Sequence, residues 1–150
     1  MVLQDEAQHL PPEVQNLCRQ TARQRAAKGQ RAGIEQRDGQ RERIALDVGI
    51  GFGKTVEQNF ALLARQSELL ALGYPVLAGW SRKSSLGAVT GLDVGQRLQP
   101  SVAAALLAVE HGARVVRVHD VRETAQALAV WRTELNAEFG MVNQLLSVIG

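Results

Sequence analysis

The sequence predicts an α/β fold in which short parallel strands alternate with helices. Three apolar runs, at residues 44–46, 76–78 and 115–118, have the length and composition of strands buried on both faces. Each run is followed by apolar residues at helical spacing. Repeated strand–helix units of this kind form right-handed crossovers between parallel strands. Three such units are too few to close an eight-stranded barrel by themselves.

The composition is that of a globular protein with a packed core. Of the 150 residues, 45% are hydrophobic and 21% charged, whereas only 4% are aromatic, so the core is expected to consist of Ala, Leu and Val. The net charge of +2 requires no acidic partner. The single cysteine, Cys18, excludes an internal disulfide and fits a reducing compartment. Without a signal peptide or an apolar run of the roughly 20 residues that span a membrane, we expect a cytoplasmic protein.

The chain divides into three segments by composition. Residues 1–43 are polar and basic, with a helix that opens near the prolines at 11 and 12. Residues 44–138 carry the strand–helix repeats, and residues 139–150 form a tail without an assigned structure. Between residues 18 and 43, eight Lys and Arg face three acids. Because no aromatic residue is interleaved, a solvated helix face and loop is favoured over a nucleic-acid patch.

The predicted helices have recognisable boundaries. The first, at residues 56–72, starts with a capping box of Thr55 and Gln58. After the second strand, a loop through residue 95 leads to a helix at 100–111. Asp120 is predicted as the N-cap of the last helix. The glycines that end the first two helices are Gly73 and Gly112.

Polar residues follow all three strands, at the edge where parallel α/β folds place their binding sites. The first strand ends in Asp47, before a glycine-rich loop at residues 48–55. The second leads into Ser-Arg-Lys-Ser-Ser at residues 81–85, and the third ends with Arg117 and His119. Carboxylate, cationic, hydroxyl and imidazole groups at one rim suit a polar heterocycle joined to an anion.

The glycine-rich loop shares features with nucleotide-binding loops. Its Gly-Lys-Thr at residues 53–55 matches the end of a phosphate-binding loop, but position 48, where that motif needs glycine, is Val48. The glycines at 49, 51 and 53 are one residue short of the dinucleotide pattern. Nucleotide binding therefore remains the weaker alternative.

Three motifs in series resemble dihydropteroate synthase. They are Asp-x-Gly-Ile-Gly-Phe-Gly-Lys-Thr at 47–55, Ser-Arg-Lys-Ser at 81–84 and Arg-Val-His-Asp at 117–120. The resemblance, over about residues 44–135, implies the C-terminal part of a TIM (β/α)₈ barrel, with the sixth, seventh and eighth strands present and the first five absent. The family condenses 6-hydroxymethyl-7,8-dihydropterin pyrophosphate with p-aminobenzoate in folate biosynthesis and releases pyrophosphate.

The resemblance implies a role for each residue of the first two motifs. Asp47 would bind the amino-pyrimidine edge of the pterin, as a carboxylate does with two parallel N–H donors. Lys83 would reach the pterin carbonyl and ring nitrogen, whereas Ser84 and Phe52 would lie near p-aminobenzoate. The plainer alternatives are a strand-end cap for Asp47, a surface cation for Lys83 and a core aromatic for Phe52.

The third motif would hold the pyrophosphate. Arg117 and His119 are two residues apart, so along a strand their side chains point the same way. By the resemblance, they stabilise the departing anion as fixed positive groups, and p-aminobenzoate captures the pterin cation. The alternative for His119 is a helix-cap residue. Mg²⁺ would accompany the pyrophosphate, although the family's asparagine ligand lies in the absent strands.

The chain also departs from the family. Val48 replaces a proline, and half of the barrel is absent, so activity of the chain alone is in question. We expect a homodimer through the helices that follow the last strands, where Ala103, Ala104 and Ala105 allow close approach. The alternatives are a non-catalytic fragment that keeps pterin binding or the dimer surface, and the pterin module of folate-dependent methyltransferases.

Overall fold

Four parallel strands form one sheet in the computed structural model, which describes residues 45–139 and 147–149. The strands lie in chain order: β1 (Leu46–Asp47), β2 (Val76–Ala78), β3 (Ala113–Arg117) and β4 (Ser147–Ile149). Each pairs with the next in parallel, with Leu46 opposite Val76 and Val116 opposite Val148. The predicted α/β class with parallel strands is confirmed.

Helices connect the strands. The α-helices are α1 (Val56–Ala64), α2 (Ser84–Thr90), α3 (Leu98–Glu110) and α4 (Val121–Phe139). Two short 3-10 helices, Gln66–Leu72 and Val94–Gln96, follow α1 and α2. In the part of the chain that the structure describes, no helix is both long and apolar enough to cross a membrane.

The first helix is shorter than predicted. Its capping box is confirmed, since Gln58 N–H donates to Thr55 Oγ1 at 3.2 Å and Thr55 N–H donates to Gln58 Oε1 at 3.0 Å. The predicted helix at 56–72 nevertheless breaks at Arg65 and continues as a 3-10 helix. There Gln66 is buried and donates from Nε2 to the carbonyl of Ala108, 2.7 Å away in α3. A contact so distant in sequence is invisible to helical periodicity.

The region between β2 and β3 also differs from the prediction. Residues 84–90, predicted as part of a loop, form α2, which ends at Gly91 with φ of 70°. Its polar start and single buried leucine, Leu86, gave no amphipathic pattern. The next helix begins at Leu98 rather than at residue 100. The third strand lies at Ala113–Arg117 rather than 115–118.

The tail carries a strand that the sequence did not reveal. Residues 147–149, predicted to be unassigned, pair with β3 and extend the sheet. Pairing with a distant edge leaves no local signal, because a serine followed by two apolar residues is as typical of a helix as of a strand. The predictions for the basic segment 1–43 and for Cys18 lie outside the described residues.

The core lies between the sheet and the helices and consists mainly of Ala, Leu and Val, as predicted. Val76 and Ala108 are completely buried. Trp80, just after β2, is also buried and packs against Phe60 with 5.2 Å between ring centroids. This packing fixes the chain at the exit of β2, where the predicted site begins.

Candidate active site

The ends of β1 and β3 meet at one rim. Arg117, the last residue of β3, places a guanidinium nitrogen 3.5 Å from the Asp47 carboxylate at the end of β1. Arg117 crosses the end of β2 to do so, because a Cβ added to Gly79 would lie only 2.9 Å from its Nη2. The absence of a side chain at Gly79 therefore lets Arg117 reach Asp47.

Lys83 joins this rim from the loop after β2. Its Nζ lies 4.3 Å from the centroid of the Phe52 ring, at cation–π distance. Its aliphatic stem passes over Gly51, where an added Cβ would be 2.8 Å from Cδ. Phe52 remains 39% exposed, so the ring still presents an apolar surface at the mouth of the site.

The charges at the rim are coupled. Partial burial lowers the pKa of Lys83, and the nearby Arg117 guanidinium lowers it further, whereas the Asp47 carboxylate acts in the opposite direction. Two cations thus share one carboxylate. The rim consequently keeps an excess of positive charge that an anionic group would neutralise.

The glycine-rich loop is held by its own polar groups. Gly49 N–H donates to the Asp47 carboxylate at 2.8 Å, which orients that carboxylate at the strand end. Lys54 donates to the carbonyl oxygens of Gly49 and Phe52, at 2.7 and 3.3 Å. A lysine that binds the loop backbone differs from the phosphate-binding lysine of nucleotide loops, which argues against nucleotide binding here.

Asn59 connects the first two loops, and sequence reasoning missed it. Its buried side chain accepts from Gly51 N–H at 3.1 Å and donates to Ser85 Oγ at 2.9 Å and to the Thr55 carbonyl at 3.0 Å. It therefore ties the glycine-rich loop to the start of α2, which Lys83 precedes. The available signal was an asparagine among the apolar positions of α1.

The loops after β2 and β3 are joined by two neighbouring pairs. Ser81 Oγ accepts the backbone N–H of His119 at 3.1 Å and lies 2.9 Å from His119 Nδ1. Arg82 binds both carboxylate oxygens of Asp120, at 2.7 and 3.3 Å. This bond lowers the pKa of Asp120 and raises that of Arg82. The predicted cap residue Asp120 thus directs its carboxylate to Arg82.

The structure brings most of the predicted residues together. Asp47, Lys83 and Arg117 form one charged group, with Phe52 against Lys83. His119 follows Arg117 and is held by the loop after β2. Ser84 is exposed as the first residue of α2.

The described residues contain no group of three or more His, Cys, Asp or Glu side chains arranged to hold a metal ion. The Asp47 carboxylate itself lies against Arg117.

The sequence pattern of the family described as "Pterin binding enzyme" matches residues 2–119. The chain belongs to this family of pterin-binding enzymes. Two dihydropteroate synthases are similar to it in sequence. That of Haemophilus influenzae is 50% identical over 97 residues, and that of Neisseria meningitidis serogroup C is 53% identical over 92. The predicted resemblance is confirmed.

Solved structures of dihydropteroate synthases share the fold of this chain. The enzyme from Stenotrophomonas maltophilia, with imidazole in its active site, superposes with a TM-score of 0.67 at 41% identity over 89% of the chain. The Xanthomonas albilineans enzyme in complex with 7,8-dihydropteroate gives 0.66 at 45% identity over 85%. The predicted relation to part of a (β/α)₈ barrel is confirmed.

The chain matches only part of each relative. It spans about a third of the two curated relatives, 35% and 32% of their lengths. It covers 48% and 47% of the two solved chains. The first two predicted motifs lie within the residues that match the family. The third, at residues 117–120, extends one residue beyond the match, which ends at His119.

Proposed function

We propose that this chain supplies the pterin and pyrophosphate side of a dihydropteroate synthase-type active site in folate synthesis. The observation that carries the proposal is the convergence of Asp47, Lys83 and Arg117 from three different strand ends. The site therefore contains a carboxylate that can accept bonds from N–H donors, together with an excess of positive charge that can bind an anion. The ligands named for related enzymes support the choice, since one Xanthomonas structure contains 7,8-dihydropteroate, the product of the condensation, and another contains 4-aminobenzoic acid.

The pterin is assigned to Asp47 and Lys83. The carboxylate, already oriented by Gly49 N–H, accepts two N–H bonds from the amino-pyrimidine edge. Lys83 donates to the pterin carbonyl and ring nitrogen. Because burial and Arg117 disfavour the charged ammonium, binding of these acceptors relieves an existing electrostatic cost.

The pyrophosphate is assigned to Arg117 and His119. As the bond between the pterin methylene carbon and the pyrophosphate oxygen breaks, both groups stabilise the negative charge that gathers on the leaving group. The amine nitrogen of p-aminobenzoate then forms the new bond to that carbon and loses a proton. Phe52 and Ser84, at the open side of the rim, are assigned to the p-aminobenzoate end.

We assign any Mg²⁺ to the pyrophosphate substrate. The described residues do not offer a cluster of ligands for it. Its chemistry would be charge neutralisation on the phosphate oxygens. The residues of this chain bind the same substrate through Arg117 and His119.

The proposed partner is a second copy of the chain, and the proposed location is the cytoplasm. Of the three alanines expected at the dimer contact, Ala104 and Ala105 are instead buried in the core of the chain. A helix-mediated homodimer is supported by other apolar side chains that remain exposed on α3 and α4, namely Leu107, Val121 and Val130. The single cysteine of the sequence supports a reducing compartment. Sedimentation equilibrium of the full chain tests the dimer, and a monomer at all concentrations would contradict it.

Calorimetric titration of the full chain with 6-hydroxymethyl-7,8-dihydropterin pyrophosphate tests the proposed function. We expect binding that is weakened about tenfold to a hundredfold by Asp47→Asn, since a charged hydrogen bond to a substrate contributes roughly 1.5–3 kcal/mol. Arg117→Ala should also weaken binding, and Arg114→Ala is its matched control, because Arg114 is an exposed arginine near the opposite end of β3. Equal affinity in the Asp47 variant would reject the site.

The second candidate is a non-catalytic member that retains pterin binding or the dimer surface. It is favoured by the coverage, since the chain spans about a third of related synthases. A synthase assay on the full chain with p-aminobenzoate separates the two. Product formation that Arg117→Ala abolishes supports the enzyme, whereas pterin binding without product supports the second candidate.

A further inference from the structure

We infer that Ser81 is a positioning residue that fixes the tautomer of His119 and thereby keeps its Nε2–H as a donor for an anion. The tautomer rests on hydrogen-bond geometry alone. The identity of the anion, pyrophosphate, rests on the proposed function. The tautomer and the identity of the anion can therefore be rejected independently of each other.

The Ser81 hydroxyl contacts His119 twice. Its oxygen accepts the backbone N–H of His119 at 3.1 Å and lies 2.9 Å from Nδ1 of the ring. The backbone N–H group only donates, so it uses one lone pair of the serine oxygen. The direction of the second bond decides the tautomer of the imidazole.

Two directions are chemically possible for the bond between Ser81 and Nδ1. If Nδ1–H donated, the serine oxygen would accept two bonds, and its own hydrogen would need a third partner. Ser81 is only 6% exposed, and within the described residues its hydroxyl group forms hydrogen bonds with His119 alone. Since buried hydroxyl groups donate their hydrogen to an acceptor, the Ser81 O–H points at Nδ1.

This direction has a chemical consequence for His119. A neutral imidazole carries one proton, so a ring that accepts at Nδ1 is protonated at Nε2. Nε2 is the nitrogen away from Ser81, on a side chain that is exposed at the rim. His119, two residues after Arg117, consequently offers an N–H donor even when the ring is uncharged.

A second pair keeps this geometry in place. Arg82 follows Ser81 in the sequence and Asp120 follows His119, and these two residues form an ion pair with two hydrogen bonds. Arg82 adopts φ of 57°, which is rare for a residue with a side chain, and its N–H donates to Ser101 Oγ at 2.9 Å. The strained turn is thus fixed on both sides, and the two loops cannot slide past each other without breaking the ion pair.

Long-range ¹H–¹⁵N correlation spectra of the full chain at about pH 8.5, where a free imidazole is neutral, test the inference. His119→Gln assigns the resonances. We expect Nδ1 of His119 at the shift of an unprotonated ring nitrogen and Nε2 at that of a protonated one. Ser81→Ala should move both shifts toward the tautomer mixture of free histidine, and Ser81→Thr should restore them.

Thr90→Ala is the control, because it removes another hydroxyl between β2 and β3, one whose bonds are to Leu86 and Leu92 and not to His119. It should leave both shifts unchanged. A protonated Nδ1 in the unmodified chain, or shifts that Ser81→Ala does not alter, would overturn the tautomer assignment. If Ser81→Ala does not fold, Ser81→Cys provides the test, since its weaker thiol donor should move the shifts in the same direction.

Titration with inorganic pyrophosphate tests the anion in the same spectra. We expect the Nε2 resonance of the unmodified chain to shift with pyrophosphate and the shift to be smaller in Ser81→Ala. If pyrophosphate leaves Nε2 unaffected while the tautomer is as inferred, the anion part is rejected and the tautomer part stands. Sodium sulfate at equal ionic strength controls for screening by salt.

Discussion

At the scale of the residue, the rim is built from charges that are only partly compensated. Asp47 faces both Arg117 and Lys83, and the pKa of Lys83 is lowered as a result of burial and of Arg117. Such a lysine destabilises the folded chain while it is protonated. Such a site lowers the stability of the folded chain, and a bound ligand that neutralises the excess charge would restore it.

Replacing Lys83 by methionine should raise the melting temperature near neutral pH. The folded-state pKa of Lys83 lies below its ordinary value of 10.5, so the unfolded chain binds the proton more strongly. The contribution of Lys83 to the unfolding free energy therefore rises with pH between these two values. Thermal unfolding of both chains across this range measures the difference, which should shrink as the pH rises.

Lys83→Arg is the control for this prediction. Arginine keeps its charge throughout the range, so its stability should not show the rise with pH assigned to Lys83. A melting temperature of Lys83→Met equal to or below that of the unmodified chain at neutral pH would contradict the prediction.

Replacing Asn59 by alanine should destabilise the fold and separate the first two loops. The Ser85 hydroxyl would be left unpaired while buried, at a cost of about 1–3 kcal/mol, and the Gly51 N–H, on an exposed residue, would lose its bond to α1. Urea unfolding measures the loss. Gln58→Ala, a change at the half-buried capping position of the same helix, should cost less. Equal midpoints for both variants would argue against the role of Asn59.

At the scale of the element, the strand–helix junctions were predictable where the signal was local. Thr55 and Gln58 form their capping box as the sequence indicates, since the bonds join residues three apart. The break at Arg65 and helix α2 were not predictable, because Gln66 bonds to α3 and α2 has no amphipathic pattern. Local chemistry sets where a helix begins, whereas distant contacts set how far it continues.

Replacing Thr55 by alanine should therefore destabilise the chain by about 1 kcal/mol, the usual loss for an N-cap. Thr133→Ala is the control, since Thr133 is exposed within α4 and donates only to the Ala129 carbonyl of its own helix. Urea unfolding of both variants measures the difference. A Thr55 variant as stable as the Thr133 variant would show that the cap contributes nothing.

At the scale of the whole molecule, β4 covers the edge of β3. In a closed (β/α)₈ barrel, the edge of the last strand is paired with the first strand. If β3 corresponds to the last strand, as the order of the motifs implies, the segment Ser147–Ile149 lies in that place. An unpaired edge is a template for association with other chains, so β4 also protects the sheet.

Removal of residues 147–150 should expose the β3 edge. We expect faster hydrogen exchange of the β3 amides that face β4, because they lose their hydrogen-bond partners. Protection in β2 should be unchanged, because β2 pairs with β1 and β3 and not with β4. Exchange measured by mass spectrometry on peptides that cover residues 113–117 and 76–78 provides the comparison. Equal protection of β3 in both chains would show that β4 is not paired there.

The sequence by itself determined the parallel α/β class, the family and the residues of the three motifs, because short strands, helix caps and motif order are local properties. Only the tertiary structure decided that Arg117 crosses Gly79 to reach Asp47, that Asn59 joins two loops and that β4 pairs with β3. These contacts join residues far apart in the chain. Their formation depends on how the strands align, which no local pattern encodes.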